Sequence, residues 1–337
     1  MRLSRLGEFG LIDRIRRQVA VSRGVRLGIG DDAAWVDHPQ GSSLVTADLL
    51  IEGIHFDLKW TSLADLGYKS LAVNLSDVAA MGGTPAYVML SLGIPANFDT
   101  DKIDKLYRGI NGLAKKHGVT IVGGDTNAAG SLLISVCLIG HPPKKPISRS
   151  GAHVGDDIYV TGTLGDAALA LNLLRHKHRP QSRAVAQLLK RLHRPTPRLA
   201  AGALLARRNL ATAMIDVSDG LIQDLSHICQ ASGVGANIQQ KKLPLSSAFL
   251  SLAGKIGMRH ALSGGDDYEL LFCAAPEQRK RIETLGKQAG VPISRIGTCK
   301  PAANGIRVID TAGTEVAVKA QGHDHFKKQW PRRRKNR

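Results

Sequence analysis

Between residues 63 and 81, Tyr68, Leu71, Leu75 and Val78 recur at i, i+3, i+7 and i+10, the spacing of a helix with one apolar face. Asp77 falls at the edge of that stripe, and Gly82-Gly83-Thr84-Pro85 ends it. Short apolar runs bounded by turn residues predict strands at 43–48, 86–94, 119–122 and 132–139, with another helix at 101–117. The Pro-rich, charged stretch from His141 to Ser150 reads as a linker. Beyond it the alternation resumes: a strand at 157–161, a turn through Gly162 and Gly165, and helices at 166–174 and 198–208. A strand at 213–216, a helix at 221–232 and a strand at 236–239 follow, then an SGGDD loop, a strand at 268–274, a helix at 277–289 and a strand at 293–297. Strands mixed with helices in both halves predict α/β or α+β layers. The expected domains are 1–142 and 150–326, with a tail at 327–337.

A length of 337 residues accommodates two such domains, each with its own core. The content of 43% hydrophobic residues, 36 glycines and only 4% aromatics is that of a globular α/β protein. Apolar runs such as Ile134 to Ile139 are too short to cross a bilayer, and the first ten residues lack a signal-peptide core. A cytoplasmic protein with no membrane partner is therefore expected. Cys137, Cys229, Cys273 and Cys299 form no CxxC pair and read as reduced structural thiols. The net charge is +18, but much of the excess sits in Arg175–Arg198 and Lys327–Arg337. Scarce aromatics and the absence of RRM, KH or zinc-finger spacing argue against a nucleic-acid partner. A solvated basic surface, or one that attracts anionic substrates, is the better account.

Against that basic background, nine of the 28 acids gather in six Gly- or Ser-bearing clusters: Asp31 and Asp32, Asp48, Asp77, Asp125, Asp216 and Asp219, and Asp266 and Asp267. Carboxylates packed together repel unless cations lie among them, and hard oxygen donors suit Mg²⁺ with phosphate. In GIGDD the two acids cannot point the same way, so one binds and the other supports; a turn with an Asp cap reads similarly. Asp48 ends a buried strand and needs a metal or an Arg partner. Asp125 follows two glycines after a strand, as a ligand or as a strand-ending turn. Asp216 and Asp219 flank Ser218 at a strand-to-helix junction, where free helix N–H groups and Mg²⁺ would both hold phosphate, unless Asp219 is only a cap. His55 reads either as structural or as orienting a substrate, and Arg149 as a phosphate clamp or a surface linker residue. No Walker A loop and no protein-kinase motif set is present.

Read in order, these stretches resemble the thiamine-monophosphate kinase family. The match runs from about Gly7 to Phe326. It covers GIGDDAA, TADLLIEGIHF, YKSLAVNLSDVAAMGGTPAY, IVGGDT, SRSGAHVGDDIYVTGTLGD, RPTPRL, IDVSDGLIQDL, LSGGDDYELLF and GHDHF. The resemblance implies ATP-dependent phosphorylation of thiamine monophosphate to thiamine diphosphate by direct in-line transfer. It also implies the two-domain aminoimidazole ribonucleotide synthetase-like fold, with the N-terminal sheet pairing across a homodimer. Carried over by motif, Asp31, Asp32, Thr46, Ala47, Asp48, Asp77, Asp125, Asp216 and Asp219 would hold several Mg²⁺ ions. Tyr107, Gly124, Asp125, Arg149 and Ser218 would contact ATP, and His55, Asp266 and Phe326 the thiamine monophosphate. Two positions depart from the family's usual residues: Asp266 stands where Glu is common, and Ala47, often Thr, would offer only its carbonyl. Within the superfamily, the absence of a Cys near the Gly-rich loop argues against a selenophosphate synthetase. The DVSDG and SGGDDYEL boxes argue against aminoimidazole ribonucleotide synthetase itself.

Overall fold

The helix expected from the apolar stripe at 63–81 spans Leu63–Ala80, and its whole middle is buried. Ser62 starts it, accepting the Asp65 N–H with its hydroxyl. A computed structural model describes residues 7–176, 182–254 and 257–317 of the chain. It consists of two sheets with helices packed on them.

The first sheet holds β1 (Val25–Leu27), β2 (Ala34–His38), β3 (Gly41–Ile51), β4 (Thr84–Ile94), β5 (Thr120–Ala128) and β6 (Leu133–His141), in the order β1-β2-β3-β6-β4-β5. Its pairs are antiparallel except β4 and β5, which are parallel and joined by a helix, as such a crossover requires. The helices preceding β4 and β5 are α2 (Leu63–Ala80) and α3 (Thr100–His117); a short α1 (Glu8–Arg16) opens the described chain. Leu71, Leu75, Ile110, Ile134, Val136 and Leu138 form one core between helices and sheet. The opposite sheet face stays open: Leu49, Tyr87, Met89 and Val122 are exposed.

The second sheet runs β13-β12-β9-β11-β7-β10-β8. Its strands β7 (Asp157–Thr161), β10 (Leu270–Ala274) and, at the edge, β8 (Ala213–Asp216) are buried at every position, so apolar residues fill both faces and no alternation shows. Around them lie β9 (Val234–Gln239), β11 (Ile293–Pro301), β12 (Ile306–Ile309) and β13 (Glu315–Ala317). Successive residues of β7 and β10 enter different cores: Ile158, Val160, Leu271 and Cys273 on one face, Tyr159, Leu270 and Phe272 on the other. The first face is covered by α4 (Asp166–Arg175), α5 (Arg183–His193) and α7 (Leu221–Ser232), the second by α6 (Leu199–Arg207) and, after α8 (Ser247–Leu252) and α9 (Gly257–Ser263), α10 (Arg279–Ala289).

Helix α2 belongs to both halves. Its Leu71, Leu75 and Val78 enter the first core, while Ala79 and Ala80 join the cluster beneath α6. Glycines allow the close approach: a Cβ on Gly109 of α3 would stand 1.9 Å from the Ala64 carbonyl oxygen, and one on Gly202 of α6 would stand 2.0 Å from that of Ala79.

Several elements differ from their sequence expectation. Strand β3 continues to Ile51, so Asp48 is not at its end, and β5 includes Gly123, Gly124 and Asp125 instead of stopping before them. Helices α1, α5, α8 and α9 and strands β1, β2, β12 and β13 were not expected. In α5 the buried Val185, Leu188 and Leu192 keep helical spacing, but Arg183, Lys190, Arg191 and His193 among them led the segment to be read for its charge. No helix among the described residues is long and apolar enough to cross a membrane. None of the four cysteines is in a disulfide, and Cys273 and Cys299 bring their sulfurs to 3.5 Å in the second core.

Candidate functional site

Three of the expected acids meet where the halves join. Asp32 precedes β2, Asp77 lies in the last turn of α2 and Asp216 ends β8; one carboxylate oxygen from each falls within 4.8 Å of the others. Thr46 of β3 donates its hydroxyl to Asp77 Oδ2 at 2.6 Å. Asp48, two residues on and on the same strand face, is close enough for its charge to act on both Asp77 and Asp216. Ala47 between them turns its methyl to the exposed face, so only its backbone is available on this side.

The electrostatics show how crowded these charges are. Burial, and then Asp48, Asp216 and Asp32, raise Asp77 well above the usual carboxylate range, with Thr46 pulling the other way. Burial and then Asp32 push Asp216 up to about 8, although the nearby Ser76 hydroxyl and Arg149 pull it down. Burial raises Asp48 to about 6. Oδ2 of Asp216 is buried without a hydrogen bond of ordinary geometry. Arg149, from the segment joining the two sheets, supplies a guanidinium: Nη2 to Asp32 Oδ1 at 2.9 Å and Nε to Asp32 Oδ2 at 3.4 Å. Burial disfavours that cation, but Asp32, Asp31 and Asp216 hold its pKa above its ordinary value.

Each paired-acid motif divides its work. Asp31 spends Oδ1 on the Asp32 N–H at 3.0 Å and Oδ2 on the Arg149 N–H at 3.1 Å, so it builds the loop that aims Asp32 and Arg149. Burial and then Asp32 raise it to about 7. Asp267 likewise accepts the Gly165 N–H at 2.7 Å, whereas Asp266 faces Lys69 and Tyr268. In DVSDG, Asp224 Oδ2 accepts the N–H groups of Asp219 at 3.2 Å and Gly220 at 3.0 Å, the two amides just before α7. The DVSDG and SGGDD loops are tied together, with Asp266 N–H bonded to Ser218 O and Tyr268 N–H to Val217 O, both at 2.8 Å.

Other expected residues lie apart from the cluster. The register Leu49–Ser135–Ser91–Asp125 crosses three strand spacings, about 14 Å, and puts Asp125 on the sheet face opposite Thr46 and Asp48. There its carboxylate accepts Thr126 N–H at 2.8 Å and Asn127 Nδ2 at 2.7 Å. Gly124 is required by packing, since a Cβ would stand 1.7 Å from the Leu90 carbonyl oxygen. Tyr107 packs half-buried against the first core. The His55 ring accepts the Ile51 N–H on Nδ1 at 3.0 Å, which orients it in the loop after β3. Phe326 lies outside the described residues. Sequence reading missed Lys69, Asp224 and Tyr268; the first two are polar side chains inside apolar helix patterns, and that intrusion was the available signal, while Tyr268 lies in the loop before β10.

The chain matches the family model for the AIR synthase related protein N-terminal domain over residues 30–141 and that for its C-terminal domain over 153–310. It is 40% identical over 325 residues to the thiamine-monophosphate kinase of Salmonella typhimurium, covering 95% of this chain and 98% of that one. The thiamine-monophosphate kinase of Bacillus subtilis is 35% identical over 327 residues, 96% of this chain and 100% of that one. Among solved structures, AaThiL complexed with AMPPCP and TMP superposes with a TM-score of 0.84 at 34% identity, covering 96% of this chain and 99% of that one.

Proposed function

The chain belongs to the thiamine-monophosphate kinases of the AIR synthase related family, and from that premise we propose that it moves the γ-phosphate of ATP onto the phosphate of thiamine monophosphate. A new O–P bond forms from the acceptor phosphate to Pγ, the β,γ-bridging bond breaks, and ADP leaves with thiamine diphosphate as the other product. The acceptor oxygen is already ionised, so the reaction asks for alignment and charge neutralisation more than for a base. The observation that carries this reading is the meeting of Asp32, Asp77 and Asp216, from both halves, within 4.8 Å.

The donor set fits Mg²⁺. All its members are hard oxygens, Asp216 Oδ2 lacks an ordinary hydrogen bond, and burial first, then the neighbouring carboxylates, raise Asp77 and Asp216, the latter despite Arg149. Asp32, Asp48, Asp77 and Asp216 would hold the ions with Thr46 and the Ala47 carbonyl beside them, and Asp219 would hold a further one. Ions bound there would neutralise the phosphates of the nucleotide. Arg149 fixes Asp32 through its fork and, with Ser218, Tyr107, Gly124 and Asp125, is assigned to ATP. His55, Asp266 and Phe326 are assigned to thiamine monophosphate.

The domains at 1–142 and 150–326 would then bring the two substrates together. A homodimer through the open face of the first sheet, which carries Leu49, Met89, Val122 and Asp125, would cover that apolar surface. AaThiL, caught with AMPPCP and TMP, supports both substrates. The test supplies ATP, Mg²⁺ and thiamine monophosphate, with unphosphorylated thiamine as control acceptor. Thiamine diphosphate should appear in step with ADP; ADP without it, or product from thiamine alone, would reject the reading.

A further inference from the structure

Lys69 is one of the few charged side chains buried in this protein, 5% exposed on α2 among Leu66, Leu71 and Val73. Its Nζ crosses to the second half and meets Asp266 Oδ1 at 3.0 Å. Tyr268 donates its hydroxyl to the same oxygen at 3.2 Å. Among the described residues Oδ2 of Asp266 has no hydrogen-bond partner, which leaves it for a ligand. Asp266 and Tyr268 both hold positive φ, 71° and 50°, a conformation that residues with side chains adopt only when their surroundings impose it. Those surroundings are the Ser218 and Val217 carbonyls on one side and Lys69 on the other, while the Tyr268 ring packs on the first core.

The same helix carries Asp77 eight residues later, about 12 Å along its axis. Burying an ammonium costs desolvation that one ion pair roughly returns, so packing alone gives no reason to prefer Lys to an apolar side chain here. We propose that Lys69 is a positioning residue for the acceptor: it fixes the Asp266 carboxylate at a set distance from the Asp32, Asp77 and Asp216 cluster, so that a hydrogen-bond-donating heterocycle held by Asp266 places its phosphate at the cluster. This rests on the assignment of Asp266 to thiamine monophosphate.

Lys69→Met, Lys69→Gln, Lys69→Arg, Asp266→Asn and the Lys69→Met/Asp266→Asn double variant test it by kinetics and by amide exchange. Misplacement of the acceptor should raise KM for thiamine monophosphate about 100-fold in Lys69→Met, with KM for ATP unchanged. Lys69→Arg should recover most of the loss, and the double variant should be no worse than the poorer single one. A loss carried by KM for ATP, or single effects that multiply in the double variant, would overturn it. Exchange at the Asp266 and Tyr268 amides should quicken in Lys69→Met, or in Lys69→Gln if Lys69→Met does not fold, with Leu270–Ala274 unchanged. Unchanged exchange at those amides overturns the proposal too. Because exchange needs no substrate, quickened exchange in the Lys69 variant together with a wild-type protein that makes no thiamine diphosphate would condemn the substrate assignment and leave Lys69 as the anchor of the loop.

Discussion

Asp31 and Asp32 are neighbours with opposite tasks, and the reason is directional. Asp31 has both oxygens on backbone N–H groups, while Asp32 faces Arg149, Asp77 and Asp216. The sequence showed that two adjacent acids must divide; which one supports depends on the Arg149 amide, 118 residues away. The positions of Asp32, Asp48, Asp77 and Asp216 were legible because acids in apolar strands and helices need cations. Asp224 and Lys69 were less so, since their partners come from the fold. Replacing Asp77 with Asn removes one charge from the cluster, so the metal-free protein should melt higher than wild type in EDTA. The same change should cost roughly 2–4 kcal/mol of transition-state stabilisation in kcat. A lower melting point with full activity would contradict both. Arg149→Met leaves the buried Asp32 without its guanidinium, and denaturant unfolding should show a loss of about 3–5 kcal/mol.

At the level of elements, the spacing of apolar residues found α2, α3 and the core strands, because their cores are regular. It missed α5, whose three buried positions are interrupted by basic residues, and it cut β5 short at its glycines. At Gly124 backbone passes close to backbone, against Leu90, which a side chain there would prevent. The crossing of α2 and α3 rests on the same device and gives a clean contrast. Alanine in a helix interior is ordinarily favoured over glycine by about 1 kcal/mol. At Gly112, where nothing lies within 4 Å, Gly→Ala should stabilise the protein by about that amount. At Gly109, where the Cβ would strike the Ala64 carbonyl, the helices must part, and a net loss of about 1–3 kcal/mol is expected. Equal effects at the two sites, read from chemical unfolding, would refute the crossing.

For the whole molecule, the raised carboxylates couple folding to pH. Asp48, Asp31 and Asp216 titrate near 6, 7 and 8 when folded, against about 4 when unfolded. The folded chain thus binds more protons, so metal-free stability is greatest at low pH within this range and falls as pH rises from about 4 to about 8. Saturating Mg²⁺ should flatten that slope, because ions binding the ionised acids favour the native state increasingly at high pH. Melting curves in EDTA and in Mg²⁺ across this range check the sign. The open face of the first sheet predicts a dimer by sedimentation, dissociated by Leu49→Asp with Met89→Asp; monomers at all concentrations in wild type would remove that assembly. The central claim is that acids from both halves form one Mg²⁺-dependent site for phosphoryl transfer to thiamine monophosphate. The most direct measurement is the initial rate of thiamine diphosphate formation against free Mg²⁺ at saturating ATP, for wild type and for Asp77→Asn and Asp216→Asn. Wild type should rise from no detectable rate in EDTA to a plateau, and both variants should stay far below it at every Mg²⁺ concentration. A wild-type rate that persists in EDTA, or variants that reach the wild-type plateau at the same Mg²⁺, would contradict the account.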